Sequence, residues 1–191
     1  MNTANKLTVL RIFLAFICMG LILRFDLTSL IFGFIVFMLA SLTDLLDGYI
    51  ARKQKTVSDL GKILDPVADK ILVIGIFLAF LEKGLVNSWL VIIIMVREFF
   101  ITGLRLSALR QNRVMEAKYF GKHKTLTQSI AIMLIFILVI IERVTSGMGT
   151  WPWFGAFRST TIFLTMAYVA ALTVLSGIIY LWRNRTVVKS L

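Results

Sequence analysis

The chain holds one cysteine, one histidine, two prolines and ten acidic residues among 191, and each scarcity removes a class of chemistry. With Cys18 alone, no disulfide closes within the chain and no thiolate metal centre forms. His123 stands alone in a cationic stretch, where an imidazole is a weak base, so no Ser-His-Asp arrangement can be argued from it; it reads as a solvated or phosphate-adjacent residue. There is no internal repeat and no low-complexity segment. The opening residues MNTANKLTVLR run straight into apolar sequence without a small-residue cleavage site, so a removed signal peptide is not expected.

Apolar residues are what the chain has in abundance. They make up 59% of it, with a mean hydropathy of +0.89, well beyond the needs of a water-soluble domain of this length. Several runs approach the roughly 20 apolar residues that a bilayer-spanning helix requires. The pattern predicts an all-α membrane protein, one integral-membrane domain over residues 1–191. Six transmembrane helices are expected at about 7–24, 29–51, 66–82, 88–110, 125–142 and 160–182, with residues 1–6 as a short interfacial segment.

Six spans put both termini on one side, and the basic residues choose it. Arg52, Lys53, Lys55, Lys62 and Lys70 flank the second connection. Arg110, Arg113, Lys118, Lys122 and Lys124 crowd the fourth, and Arg183, Arg185 and Lys189 the tail. The opposite side has Arg24, Lys83, Arg143 and Arg158. The positive-inside rule places the termini and the richly charged connections in the cytoplasm of a bacterial-type membrane. The net charge of +11 therefore suits anionic headgroups and phosphorylated substrates at that face, and nucleic acid is not expected as a partner. On the outer side, Trp151, Pro152, Trp153, Phe154 and Phe157 form an aromatic cluster suited to interfacial anchoring. Gly33, Gly75 and Gly177 are candidate points of close helix packing.

Five of the ten acids fall between Thr43 and Lys70. Asp44, Asp47, Gly48, Ala51 and Arg52 recur at offsets that share one helical face. Asp65 and Asp69, four apart, share a face of the next helix. An ordinary structural reading makes Asp59 a loop residue and Asp65 an N-cap, with Pro66 at the first helical position. It does not account for Asp44, Asp47, Asp65 and Asp69 together: an acid at a helix centre costs about 2.5–3.5 kcal/mol, less near the end of a span. Four gathered together also repel, which calls for a multivalent cation or a raised pKa. An all-oxygen ligand set of Asp44, Asp47, Asp65 and Asp69 favours a hard ion such as Mg2+ or Mn2+.

The pattern Asp44-x-x-Asp47-Gly48-x-x-Ala51-Arg52, then eight residues, then Gly61-x-x-x-Asp65-x-x-x-Asp69, resembles the CDP-alcohol phosphotransferase motif at every defined position. Asn5-x-x-Thr8-x-x-Arg11, LDPVADK at 64–70, REFFITGLR at 97–105 and GKHKTLTQ at 121–128 look like the phosphatidylglycerophosphate synthase branch of that family. The likeness covers most of residues 5–130. It implies a six-helix membrane enzyme, usually a homodimer, with a cavity open to the cytoplasm. The enzyme would take CDP-diacylglycerol and sn-glycerol 3-phosphate and release CMP and phosphatidylglycerophosphate.

By that resemblance Asp44, Asp47, Gly48, Ala51, Arg52 and Gly61 belong to the CDP-diacylglycerol site. Asp44, Asp47, Asp65 and Asp69 would hold two cations that clamp the pyrophosphate. Gly48 leaves room for the nucleotide, and Arg52 offers a forked donor to phosphate oxygens. Asp69 is the candidate general base, with metal ligation as an overlapping role. Arg97 and Arg105, eight apart on one span, and Lys122 and Lys124 at the start of the next are candidates for the acceptor's phosphate. For the lysines the alternative is ordinary positive-inside charge. For the arginines it is snorkelling, or pairing with Glu98 or another acid. Two other functions compete: the same chemistry on inositol phosphate, serine or phosphatidylglycerol, and a cation-coupled transporter, whose repeated motif and broken helices are not seen in this sequence.

Overall fold

The computed structural model describes the backbone of residues 3–54, 59–110, 120–146 and 153–185, and the side chains of residues 8–43, 67–108, 125–145 and 153–185. All the regular structure among these residues is helical: α1 (Thr3–Arg24), α2 (Leu27–Gln54), α3 (Asp59–Glu82), α4 (Ser88–Arg110), α5 (Phe120–Ser146) and α6 (Phe154–Arg183). Each contains one of the six expected spans. Residues 3–6, expected as an interfacial segment, are the first turn of α1. The other differences fall at helix ends, where polar residues continue the helix past the apolar run. α3 begins at Asp59, so Asp59 is helical and not a loop residue. Asp65 and Pro66 lie inside that helix and do not cap it. Proline costs the helix a backbone hydrogen bond there, a loss that membrane helices tolerate when neighbours re-satisfy the freed carbonyl.

The described turns are set by their residues. Asp26 Oδ2 accepts a 3.0 Å hydrogen bond from the Ser29 N–H, capping α2. Asn87 Oδ1 accepts from the Trp89 N–H at 2.9 Å and does the same for α4. At the end of α3 the Gly84 N–H donates to the Leu81 carbonyl and the Leu85 N–H to the Phe80 carbonyl. This Schellman pairing needs a left-handed residue, which Gly84 supplies at φ +65°.

α1 packs on α2 and α3, and α6 on α4 and α5; contacts of α2 with α5 and of α3 with α4 and α5 join the two groups. Phe136 of α5 is the hub of that junction. Its ring centroid lies 5.1 Å from Phe80, 5.7 Å from Phe34 and 6.3 Å from Phe37, separations at which edge and offset stacking are favourable. Gly33, Gly75 and Gly177 are close-packing points, as their sequence setting suggests. A Cβ at 33 would meet Phe136 at 3.4 Å, one at 75 the Met19 sulfur at 2.6 Å, and one at 177 Arg97 Nε at 3.0 Å. The single cysteine is structural: Cys18 is buried and donates its thiol to the Gly33 carbonyl, tying α1 to α2.

Phe13, Phe16, Leu39, Phe99, Leu126 and Leu164 stand exposed on the outside of the bundle while Arg11, Glu98, Gln128 and Thr173 are buried within it. Such an exterior suits hydrocarbon. By length and apolarity the segments Thr125–Thr145 and Phe154–Arg183 are each sufficient to cross a membrane, among the described residues. α4 carries Arg97, Glu98 and Arg105 within its apolar run.

Phe25 shows how the helix ends are arranged. Its ring lies 4.4 Å from Arg143 Cζ and 5.7 Å from Lys83 Nζ. The turn after α1, the end of α3 and the end of α5 therefore meet at one end of the bundle. Glu142 and Arg158 form an ion pair toward the same end, and the rings of Trp153, Phe154 and Phe157 gather there within about 6.1 Å of one another. Trp151 and Pro152 of the expected aromatic cluster lie outside the described residues.

Candidate active site

The opposite end holds the final turns of α2, α4 and α6 and the first turns of α1, α3 and α5. Every candidate residue falls in this half except Arg97, which stands near the middle of α4. Asp44, Asp47, Gly48, Ala51 and Arg52 are on the last turns of α2, and Gly61 and Asp65 on the first turns of α3, both helices packed on α1. Lys122 and Lys124 are on the first turns of α5. The side chains of these nine residues lie outside the described ones. Asp69 is half-buried on α3, one turn beyond Asp65. The donor set suits a hard divalent cation: four carboxylates, all oxygen ligands, on two helices that meet the same neighbour at the same end. Among the described residues no group of three or more His, Cys, Asp or Glu gathers, and three of the four carboxylates are not among them.

Beside Asp69 lies a buried polar junction. The Glu98 carboxylate accepts from Arg97 Nη1 at 3.4 Å and from Gln128 Nε2 at 3.3 Å through one oxygen. Its other oxygen stands 3.7 Å from Lys70 Nζ. Arg97 Nη2 donates to Ser176 Oγ at 2.9 Å, and Ser176 Oγ in turn donates to the Thr173 carbonyl. One acid thus links α3, α4 and α5, and Arg97 extends the link to α6. A charge this deep is tolerable only with partners and further hydrogen bonds around it, which Glu98 has.

The two candidate arginines of α4 differ. Arg97 is paired with Glu98, bonded to Ser176 and pressed on Gly177; the pairing weighed as its alternative role is present. Arg105 is exposed, with its Cζ 5.8 Å from the Tyr180 ring centroid and no carboxylate partner among the described residues. A guanidinium held against an aromatic face and otherwise uncommitted is available to an anion.

An acid-bearing helix pair and a cation with no carboxylate partner among the described residues, at one end of an apolar bundle, suit a reaction between two phosphates at a membrane surface. The family model for CDP-alcohol phosphatidyltransferase matches residues 1–187. The chain belongs to this family. Relatives of this CDP-alcohol phosphatidyltransferase include a Bacillus subtilis (strain 168) protein named CDP-diacylglycerol–glycerol-3-phosphate 3-phosphatidyltransferase, 40% identical over 148 residues, or 71% of this chain and 77% of that one. Proteins of the same name from Mycoplasma genitalium and Rickettsia bellii are each 36% identical. The first match covers 68% of this chain and 62% of the relative, the second 71% and 75%.

Sequence reasoning named Glu98 only as a partner for Arg97, and passed over Gln128, Ser176 and Tyr180 as individual residues. A usable signal existed on α6. Thr173, Ser176 and Tyr180 are spaced by three and four in the otherwise apolar stretch 169–181 of α6, a polar stripe suited to facing protein.

Proposed function

We propose that this CDP-alcohol phosphatidyltransferase transfers the phosphatidyl group of CDP-diacylglycerol to sn-glycerol 3-phosphate, releasing CMP and phosphatidylglycerophosphate. The observation that carries the reading is the full acidic motif on α2 and α3 at the same bundle end as Arg105. The name shared by the relatives supports the two substrates.

A primary hydroxyl of the acceptor attacks the phosphorus that bears the diacylglycerol. A new P–O bond forms, the bond from that phosphorus to the CMP phosphate oxygen breaks, and CMP leaves with the bonding electrons. Asp69 takes the hydroxyl proton. Asp44, Asp47, Asp65 and Asp69 are the residues that would hold the Mg2+ or Mn2+ pair, which supplies neutralisation of the pyrophosphate charge when bound. Arg52 meets phosphate oxygens of the donor, while Gly48, Ala51 and Gly61 leave space for the nucleotide. Arg105, with Lys122 and Lys124, holds the acceptor phosphate on the side away from the carboxylates. Arg97, neutralised by Glu98, contributes chiefly to the shape of that site.

The proposal includes six spans in one membrane domain, with both termini and the site facing the cytoplasm. The charge asymmetry supports this orientation; the homodimer carried over from the family resemblance completes it. The experiment is incubation of the purified protein with CDP-diacylglycerol and labelled glycerol 3-phosphate, with and without EDTA. Labelled phosphatidylglycerophosphate and CMP in equal amounts, lost on chelation and restored by added Mg2+ or Mn2+, are expected. CMP release with serine or inositol phosphate as acceptor, but not with glycerol 3-phosphate, overturns the acceptor assignment.

A further inference from the structure

Tyr180 stands in the last turn of α6, at the end of the bundle that holds Arg105. Two independent observations separate it from the aromatic residues of the lipid-facing exterior. The Arg105 guanidinium rests over its ring, 5.8 Å from the centroid. Its hydroxyl oxygen is buried and has no hydrogen-bond partner among the described residues. A tyrosine near a membrane surface ordinarily turns its hydroxyl to water or headgroups. A phenol kept from both without a partner carries a desolvation penalty and calls for an explanation.

The neighbours narrow what that partner is. Arg97, on the same helix as Arg105, has its terminal nitrogens committed to Glu98 and Ser176. Both guanidiniums are donors only, so neither can accept the phenolic proton. What fits beside the Arg105 guanidinium and an unused O–H is an oxyanion, which attracts the first and accepts from the second.

We infer that Tyr180 is a specificity-determining residue of the acceptor site: its ring orients Arg105, and its hydroxyl donates a hydrogen bond to a phosphate oxygen of the phosphorylated acceptor. This rests on the reading of Arg105 as a ligand of that phosphate. An acceptor without a phosphate leaves the buried Tyr180 hydroxyl unmatched and Arg105 without its anion, and polar sites reject such analogues far more strongly than apolar pockets do.

The test measures kcat and the KM of each substrate for wild type, Tyr180→Phe, Tyr180→Leu, Arg105→Ala and the Arg105→Ala/Tyr180→Leu double variant, all as purified full-length protein in lipid–detergent micelles. Tyr180→Phe, which keeps the ring, is expected to raise the glycerol 3-phosphate KM about tenfold, the loss of one charge-assisted hydrogen bond, with kcat and the CDP-diacylglycerol KM within about twofold of wild type. Tyr180→Leu is expected to raise the acceptor KM further, because Arg105 loses its support. In the double variant the rise is expected to be smaller than the product of the two single effects, since the residues act together. If Arg105→Ala raises the acceptor KM while both Tyr180 variants leave it unchanged, the inference fails and the acceptor site stands. If Arg105→Ala is also without effect, the acceptor site fails and takes the inference with it. A fall in kcat or an equal rise in both KM values in Tyr180→Phe shows a structural role only and overturns the inference.

Discussion

Lys70 and Glu98 meet at 3.7 Å between α3 and α4. Lys70 directly follows Asp69, and Glu98 lies two turns before Arg105 on its own helix. The pair fixes the helix that carries the candidate base against the helix that carries the uncommitted cation. In-line transfer requires such a fixed separation, because small misplacements of reacting groups cost large factors in rate.

Removing Glu98 tests the junction. Glu98→Ala leaves Lys70 and Arg97 as like charges in a dry interior, and truncating one partner of a buried pair typically costs about 3–5 kcal/mol. Glu98→Gln retains an acceptor oxygen for Arg97 or Gln128 and is expected to lose less. Thermal unfolding in detergent ranks the two; an unchanged Tm in Glu98→Ala would show that the junction contributes nothing to stability.

The carboxylates of α2 and α3 are separable from one another. Asp44→Asn or Asp65→Asn is expected to abolish CMP release while the protein still elutes as wild type in detergent, since a neutral amide is a poor ligand for a hard cation. Asp69→Asn is expected to collapse turnover with CDP-diacylglycerol binding retained. A parallel loss of nucleotide affinity would make Asp69 a ligand before a base. Full activity in a chelated preparation would contradict the metal requirement outright.

Arg105→Ala is expected to raise the glycerol 3-phosphate KM about tenfold to a hundredfold, from the loss of a charge-assisted hydrogen bond worth roughly 1.5–3 kcal/mol. The CDP-diacylglycerol KM moves far less. Arg105→Lys recovers only part of the loss, because an ammonium lacks the planar fork. Separate titration of each substrate decides the matter, and an unchanged acceptor KM refutes the assignment.

Asp26 gives the first turn of α2 a pH dependence away from the site. Hydrogen bonds from Ser29 hold its carboxyl below the usual aspartate range. A depressed folded-state pKa stabilises above the unfolded value, and that contribution is lost as pH falls through the folded one. Acidification through and below the ordinary aspartate range is therefore expected to lower the Tm of wild type more than that of Asp26→Ala. Identical acid profiles of the two proteins would remove Asp26 as a capping contributor.

Sequence alone determined the six helices, their order and the end of the bundle to which the acids belong. Apolar runs, helical spacing and charge asymmetry are properties of neighbouring residues and need no third dimension. Gly33, Gly75 and Gly177 were legible only as candidates for packing points; the packing itself separates them from Gly20 and Gly103, where a Cβ would meet nothing within 4 Å. Helix limits were less legible. Asp65 next to Pro66 has the form of a cap, yet α3 starts at Asp59, because helix propagation continues through polar residues that a hydropathy boundary stops at. Only the tertiary structure decided which cations are committed. Arg97 and Arg105 look equivalent on α4, but one finds Glu98 beside it and Ser176 seventy-nine residues away, while the other finds the ring of Tyr180. Coulomb energy depends on distance and burial, and those distances are set by how α3, α5 and α6 pack around α4, which no local pattern in the chain encodes.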